Sequence, residues 1–304
     1  MSPKFIVAHR MDQNNVGDIA SNPLQYFLSP DEYTRVDVTQ IGKTSWDPNV
    51  PVILGGGGLL GNTMFGDIAA KISVSADRQQ LQDIGVDIPW TLQNSSNQSL
   101  YNTFRQQYQQ LISSTLRQMV EPPGGPKYVW GAGYNSDDVS EEISYSPFLS
   151  EFDAVGLRDW SQGSRYEWVP CASCMHPALR QNYSIRNDII WFEHKKQLIK
   201  DFGKESIPRF VNSGDNIEHT IELLGSANII LTNSYHGAYW GTLLKKRVVV
   251  VDPWSSKFMH FKHMPAIASK KTSWKSAIEM ATTYPTAIDE CVQTTESFWQ
   301  RIRG

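Results

Sequence analysis

Short apolar runs that end in glycine or small polar residues recur along most of this 304-residue chain. Helical patterns separate these runs, and such an alternation is typical of βα units around a parallel sheet. Four consecutive valines at 248–251 favour a strand that is buried on both faces. The sequence therefore predicts an α/β protein. Further strands are predicted at 4–8, 50–54, 127–130, 153–157, 167–169, 188–192, 209–211 and 228–231.

The order of these segments predicts two domains. A second βα series begins after residues 180–185, and the chain length suits two domains of ~150 residues. We expect an N-terminal domain over 1–182, a C-terminal domain over 183–285 and a terminal helix over 286–304 that packs back across both. Helices are predicted through Leu24 to Leu28, at 101–120, at 193–202, from a cap at Asp215 or Asn216 to Leu224, and at 236–244, 273–280 and 288–303.

Charge and hydropathy exclude several classes of partner. Lys plus Arg total 28 and Asp plus Glu total 31, so the formal charge is −3, and a nucleic-acid partner is not expected. Neither an apolar run of the ~20 residues that cross a bilayer nor a basic amphipathic anchor is visible, so direct membrane insertion is not expected. Three cysteines are too few for a disulfide scaffold and favour a reducing, cytoplasmic setting.

The sharpest local feature is the segment T-N-S-Y-H-G-A at 232–238, where an apolar strand meets the start of a helix. His236 would lie near the positive end of the helix dipole, which disfavours its protonated form. A bound anion would reverse that effect and restore an acid that works near neutral pH. We therefore predict that His236 is catalytic; the alternative is a histidine that only caps or packs.

Two cations and two donors are predicted to bind an anionic ligand near this histidine. Arg158 ends a strand beside Asp159 and could bind a phosphate or carboxylate through two parallel hydrogen bonds. Lys257 follows the valine strand. Ser234 and Tyr235 directly precede His236. The alternatives are a salt bridge for Arg158 and an exposed loop position for Lys257.

Glycine-rich loops after two strands are the next candidates. Gly55 to Gly58 allow positive φ and close backbone approach, and a following helix would offer its amides to an anion. The alternative for the four glycines is a tight turn that binds no ligand. For Asp18, in the loop after the first strand, the alternative is a simple helix cap. Ligand contacts are predicted on this side of the site from Asn15, Gly17, Asp18, Gly56, Gly57 and Gly58.

No metal site is predicted. Cys171, Cys174 and His176 supply three ligands at most, and Cys291 is far off in sequence, so a buried or partner-facing thiol loop is favoured. The glycines lack the G-K-[ST] of a P-loop, and no G-x-S-x-G elbow is present. Trp130, Trp240 and Trp254 could stack on sugar rings.

Seven short motifs follow one another along the chain: N-x-G-D at 15–18, L-G-G-G-G-L-L at 54–60, W-G-A-G at 130–133, V-G-L-R-D at 155–159, V-P-C at 169–171, T-N-S-Y-H-G-A at 232–238 and V-V-V-D at 249–252. In their order and spacing, over about residues 5–258, they resemble the polysaccharide pyruvyl transferase family. The resemblance implies a glycosyltransferase-B-like pair of Rossmann-like domains facing a cleft, with the acceptor on the first domain and the donor on the second.

The resemblance also implies an activity. The enolpyruvyl unit of phosphoenolpyruvate would pass to two hydroxyls of a sugar acceptor, such as a lipid-linked oligosaccharide, and form a ketal. His236 falls on the family's acid, and Arg158 matches its strand-end arginine. Ser234 stands where many members carry an arginine, and Lys257 would supply the other charge. No cofactor is implied beyond phosphoenolpyruvate as donor substrate, and the setting would be the cytoplasm beside a membrane-bound polysaccharide assembly complex.

Two alternatives remain open at the level of the sequence. A glycosyltransferase on the same scaffold would bind a nucleotide sugar, with Asp215 or Glu218 as a ribose ligand. A non-catalytic member of a polysaccharide assembly complex is favoured by the serine at 234. Fold alone cannot separate these functions.

Overall fold

The computed structural model describes residues 3–38, 47–60, 125–195 and 206–304, except positions 12, 13, 48, 137, 141, 144, 146, 162, 163, 270 and 271. The helix predicted at 101–120, the residues from 61 on where a helix could follow the four glycines, and residues 196–202 of the helix predicted at 193–202 lie outside these residues. Within the described part of the chain, no helix is both long and apolar enough to cross a bilayer.

The first half of the chain builds a six-stranded sheet of parallel strands in the order β2-β1-β3-β4-β5-β6. Its innermost residues, such as Val7, Ile53 and Val129, are fully buried, as expected for a sheet covered on both faces. The strands are β1 Phe5–His9, β2 Tyr33–Asp37, β3 Val52–Gly57, β4 Lys127–Ala132, β5 Ala154–Leu157 and β6 Glu167–Trp168.

The second half builds a five-stranded sheet, also of parallel strands, in the order β8-β7-β9-β10-β11. The valine run forms β10 and is buried, as predicted. The strands are β7 Asn187–His194, β8 Arg209–Asn212, β9 Ala227–Thr232, β10 Arg247–Val251 and β11 Ala266–Ala268. Two parallel sheets confirm the predicted α/β class and agree with Rossmann-like units.

Both sheets reverse their strand order at an equivalent place. In the first sheet the reversal lies between β1 and β3, and in the second between β7 and β9. Open parallel sheets bind ligands outside the carboxyl ends of the strands at such a reversal. We call this side of each sheet its carboxyl edge.

Polar side chains start four of the five described helices. Asn15, Asn216, Ser234 and Ser273 each accept a hydrogen bond from a backbone amide in the first turn. The helices are α1 Val16–Ala20, α2 Ile217–Gly225, α3 Tyr235–Leu243, α4 Trp274–Met280 and α5 Ala287–Ile302.

The terminal helix α5 packs against both halves of the molecule, as the sequence predicted. Near its start, Ala287 and Cys291 join the core cluster that contains Trp240 of α3. Near its end, Phe298 and Trp299 join the cluster around β1 and β4. Its buried residues recur every three to four positions, so one face of the helix is buried along its length.

Several predicted boundaries are wrong. Where a helix was expected through Leu24 to Leu28 there is only a short 3₁₀ turn, Leu24–Tyr26, and α1 forms before it, in residues expected to be a loop. β3 runs on through Gly57, beyond the predicted end at 54. β7 continues to His194 where a helix was predicted from 193, because Glu193 is held in the strand by Arg209 of β8 at 2.6 Å. The edge strands β2 and β11 were not predicted.

Candidate functional site

His236 lies at the carboxyl edge of the second sheet, in the first turn of α3. Ser234 caps that helix and its hydroxyl accepts from the amide of Gly237 at 3.4 Å. The side chain of Trp240, one turn later, packs on the imidazole with ring centroids 4.9 Å apart. Only 6 % of His236 is exposed. The predicted histidine is therefore a nearly buried group at the reversal point of the second sheet.

The carboxyl edge of the first sheet covers this imidazole. A Cβ at Gly17 of α1 would lie 2.0 Å from Nδ1 of His236, so the α1 backbone touches the ring directly. Nε2 lies 3.5 Å from Oγ of Ser21 and 3.6 Å from Sγ of Cys171. The histidine from one sheet is thus enclosed by residues that follow strands of the other.

The surroundings of His236 keep it neutral. Burial, followed by the positive charges of Arg158 and Lys257, lowers its pKa from 6.5 to about 3. The carboxylate of Asp159 lies 4.0 Å from Arg158, and burial raises the pKa of Asp159 above its ordinary value. The site therefore gathers positive charge around an uncharged imidazole.

Arg158 is 4 % exposed and follows β5. Its guanidinium carbon lies 4.0 Å from the centroid of the Tyr235 ring, an arrangement that favours a cation–π contact. Its buried Nε has no hydrogen-bond partner in the described part of the chain. A buried guanidinium nitrogen without a partner is costly unless another acceptor joins it.

Lys257 is also buried, at 9 % exposure, so the alternative of an exposed loop lysine is wrong. Its ammonium nitrogen lies 3.9 Å from the Trp254 ring centroid. The turn that carries it is bound to the first sheet, because the amide of Ser256 donates to the carbonyl of Ser136 at 2.9 Å. The Ser136 amide donates back to the Ser256 hydroxyl at 3.0 Å.

The remaining predicted donor contacts lie beside the site in supporting positions. The Ser234 hydroxyl caps α3 and accepts from Nδ2 of Asn212 at 3.0 Å. Tyr235 is sandwiched between Arg158 and Phe261, whose ring centroid is 4.7 Å from its own. Burial raises the pKa of the Tyr235 phenol, so this hydroxyl stays protonated.

Of the predicted loop residues of the first sheet, Asn15, Gly17, Asp18 and Gly56 lie in or against α1. Asn15 rather than Asp18 caps this helix, accepting from the Gly17 amide at 3.2 Å and donating to Asp18 at 2.8 Å. Gly56 has a φ of +70°, and a Cβ there would lie 2.0 Å from the carbonyl oxygen of Ser21. Gly57 has a φ of +82° and is less crowded, and Gly58 faces Asn135.

The cysteine loop lies beside the site and contacts it through one of its two thiols. In the described ranges, no three histidine, cysteine or acidic side chains are placed to hold a metal ion. Cys171 touches His236, whereas Cys174 lies 3.3 Å from the hydroxyl of Thr295 in α5. Burial raises the pKa of Cys174 to about 12, so its thiol stays protonated.

Sequence reasoning missed some features of the site and misjudged others. The contacts of Ser21 and Cys171 with His236 were not predicted, because no motif joins residues so far apart in sequence. His9, at the end of β1, is fully buried, and burial lowers its pKa to about 4. Trp130 and Trp240 are fully buried in the core, so neither can present a face to a sugar.

Comparison of the chain with models of known protein families and with curated proteins finds no match in either. The likeness to polysaccharide pyruvyl transferases thus stays a prediction from the seven motifs. The geometry around His236 is the basis for assigning a function.

Proposed function

We propose that this chain is a pyruvyl transferase that moves the enolpyruvyl unit of phosphoenolpyruvate onto two hydroxyls of a polysaccharide or oligosaccharide sugar. One observation carries the proposal: two buried cations, Arg158 from the first sheet and Lys257 from the second, flank a neutral buried histidine. A small donor with a carboxylate and a phosphate matches two such charges, and its negative charge would supply the acceptor that Nε of Arg158 lacks.

The proposed reaction needs only one proton-carrying side chain, His236. Protonated His236 gives its proton to the methylene carbon of phosphoenolpyruvate, which leaves a positive centre at the adjacent carbon. One sugar hydroxyl attacks that carbon, the second displaces phosphate, and both C–O bonds of the ketal are then formed. One hydroxyl proton returns to His236 and replaces the proton that it gave to the methyl group. The other hydroxyl proton leaves with the phosphate as hydrogen phosphate. No redox partner is needed.

Anion binding would switch the histidine into its acid form. In the ligand-free protein the cations and burial hold His236 neutral. A bound donor neutralises those cations and adds negative charge beside the ring, so the pKa rises toward the working pH. We therefore expect donor binding to take up a proton and to tighten as the pH falls from 8 to 6.

We also propose that the two halves bind different substrates, the acceptor in the first half and the donor in the second. Residues 1–182 and 183–285 would form two lobes in a glycosyltransferase-B-like arrangement, with α5 across them. The acceptor sugar would bind at the glycine-rich edge of the first lobe, near Gly56 to Gly58. Because His236 is nearly buried and the Gly17 backbone lies on its ring, a donor reaches it only when that backbone moves off the imidazole.

A donor and product assay tests this function directly. Phosphoenolpyruvate should raise the melting temperature, and nucleoside diphosphates should not, because a ligand stabilises only the protein that binds it. Mass spectrometry of sugar acceptors, free and lipid-linked, should find the added mass of a pyruvate ketal and release of phosphate. A melting shift with nucleoside diphosphates alone would instead indicate a nucleotide-sugar transferase.

His236→Ala should lower turnover by at least ~10²-fold while phosphoenolpyruvate still raises the melting temperature. Arg158→Met, which keeps most of the stem of the side chain, should abolish that melting shift. Lys262→Met is the matched control, since Lys262 pairs with Glu290 instead of acting on His236. Wild-type turnover in His236→Ala would remove this histidine from the mechanism.

A further inference from the structure

Two side chains outside the predicted motif of His236 converge on one atom of its ring. Nε2 lies 3.5 Å from the Ser21 hydroxyl and 3.6 Å from the Cys171 thiol. Ser21 and Cys171 are themselves almost completely buried. Both contacts are long, so each is individually weak. Because both are made to Nε2, together they orient the ring.

The hydroxyl of Ser21 determines which nitrogen carries the proton. That hydroxyl donates its only proton to the carbonyl oxygen of Gly17 at 2.7 Å. Oγ of Ser21 can therefore only accept a hydrogen bond from the imidazole. An acceptor beside Nε2 favours the neutral form with hydrogen on Nε2 and a lone pair on Nδ1.

The backbone of α1 lies against the other ring nitrogen, Nδ1. Only a residue without Cβ fits at position 17, because a Cβ there would overlap Nδ1 at 2.0 Å. The Gly17 backbone therefore covers Nδ1 in the ligand-free protein, and this nitrogen is reached only when that backbone moves off the ring. The side chains that act on the ring are those of Arg158, Lys257, Tyr235, Trp240, Cys171 and Ser21.

We propose that Ser21 and Cys171 are positioning residues that hold His236 with its resting proton on Nε2, so that Nδ1 is the nitrogen that takes up a proton when the imidazolium forms. The role in turnover rests on the proposed pyruvyl transfer. The tautomer itself does not, because it is a property of the ligand-free protein. This difference allows the two proposals to fail separately.

The first experiment reads the tautomer in the ligand-free protein. Nitrogen-15 NMR at pH 7.5, with His236 assigned by its absence in His236→Gln, should show a pyrrole-type shift for Nε2 and a pyridine-type shift for Nδ1. Ser21→Ala should mix the two tautomers. A pyridine-type Nε2 in the wild-type protein would overturn the proposal whether or not the protein is a transferase.

The second experiment reads turnover with matched cysteine variants. Cys171→Ala should lower kcat for ketal formation by about tenfold with little change in KM for phosphoenolpyruvate, since wrong tautomers cost up to ~10⁴-fold in other enzymes. Cys171→Ser keeps an acceptor beside Nε2 and should restore most of kcat. Cys174→Ala removes an equally buried thiol that bonds to Thr295, and should leave kcat unchanged.

The pH profile separates positioning from a loss of packing. Removing an acceptor from Nε2 destabilises the imidazolium, so the alkaline limb of kcat should move to lower pH in Ser21→Ala and Cys171→Ala. Equal losses in Cys171→Ala, Cys171→Ser and Cys174→Ala, with an unmoved limb, would show a structural role only. If the wild-type protein forms no ketal, the proposed function fails and the NMR result still decides the tautomer.

Discussion

The two sheets share a strand order but place different chemistry at the point where that order reverses. At its reversal the first sheet presents glycine backbone and one hydroxyl, at Gly17, Gly56 and Ser21. The second sheet presents an imidazole, His236, with Lys257 on the next loop of the same edge. At the reversal points, the first edge is shaped to approach closely and the second carries the histidine, while Arg158 joins the site from the end of β5 in the first sheet.

This difference teaches how the fold controls a proton. Because Gly17 has no side chain, the α1 backbone can lie directly on the imidazole and exclude water from it. Exclusion of water lowers the pKa of His236, and Arg158 and Lys257 lower it further. The fold thereby keeps His236 neutral, and a negatively charged ligand is needed to raise its pKa toward neutral pH.

The largest expected effect is at the closest approach of the backbone edge. Gly56→Ala combines a positive φ with a Cβ 2.0 Å from a carbonyl oxygen of the backbone, so we expect a loss of about 3 kcal/mol in the free energy of unfolding. Gly57→Ala has the positive φ without the overlap and should cost about 1 kcal/mol. Urea unfolding of both variants measures the difference. Equal losses would mean that β3 and Ser21 are not in contact.

A smaller effect is expected where α1 meets the imidazole. Gly17→Ala should cost about 2 kcal/mol in the free energy of unfolding, because the new methyl group overlaps Nδ1 of His236. In a His236→Ala background the overlap is gone, and the same change should be neutral or stabilising, as alanine favours helices. The double-mutant cycle isolates this coupling. Additive losses would contradict the contact between the two edges.

A last effect is a dependence of stability on pH. Unfolding returns His236 from a pKa of about 3 to its ordinary 6.5. Between these values the unfolded chain binds more protons, so the free energy of unfolding should fall as the pH drops from 6.5. His9, with a pKa of about 4, acts in the same direction. His236→Gln should flatten the slope measured by urea unfolding between pH 4 and 6.5, and an unchanged slope would show an exposed, ordinary histidine.

Much of the fold could be predicted because strand signals are local. The valine run of β10, the strand that ends at Leu157, and Asn216 as one of the two caps considered for α2 follow from residue pattern alone. The ends of β3 and β7 could not, because glycine and glutamate disfavour strands by propensity and are accepted there through tertiary partners. Glu193 stays in β7 because Arg209 on β8 neutralises it.

The candidate site was predictable in its members and not in its packing. Position after a strand placed His236, Arg158 and Lys257 at a carboxyl edge, and the structure puts all three within one electrostatic cluster. Their burial depends on how the two edges meet, which no single segment encodes. For the same reason Trp130 and Trp240, predicted as sugar-stacking groups, are core residues.

The helix α5 has a consequence for how the molecule comes apart. Its first turns are seated in the core that contains Trp240, and its last turns are seated beside Trp130. Melting either half removes the surface on which part of this helix rests, and so weakens its hold on the other half. The two sheets are therefore expected to denature in a single cooperative step, because each half loses part of its core when α5 detaches.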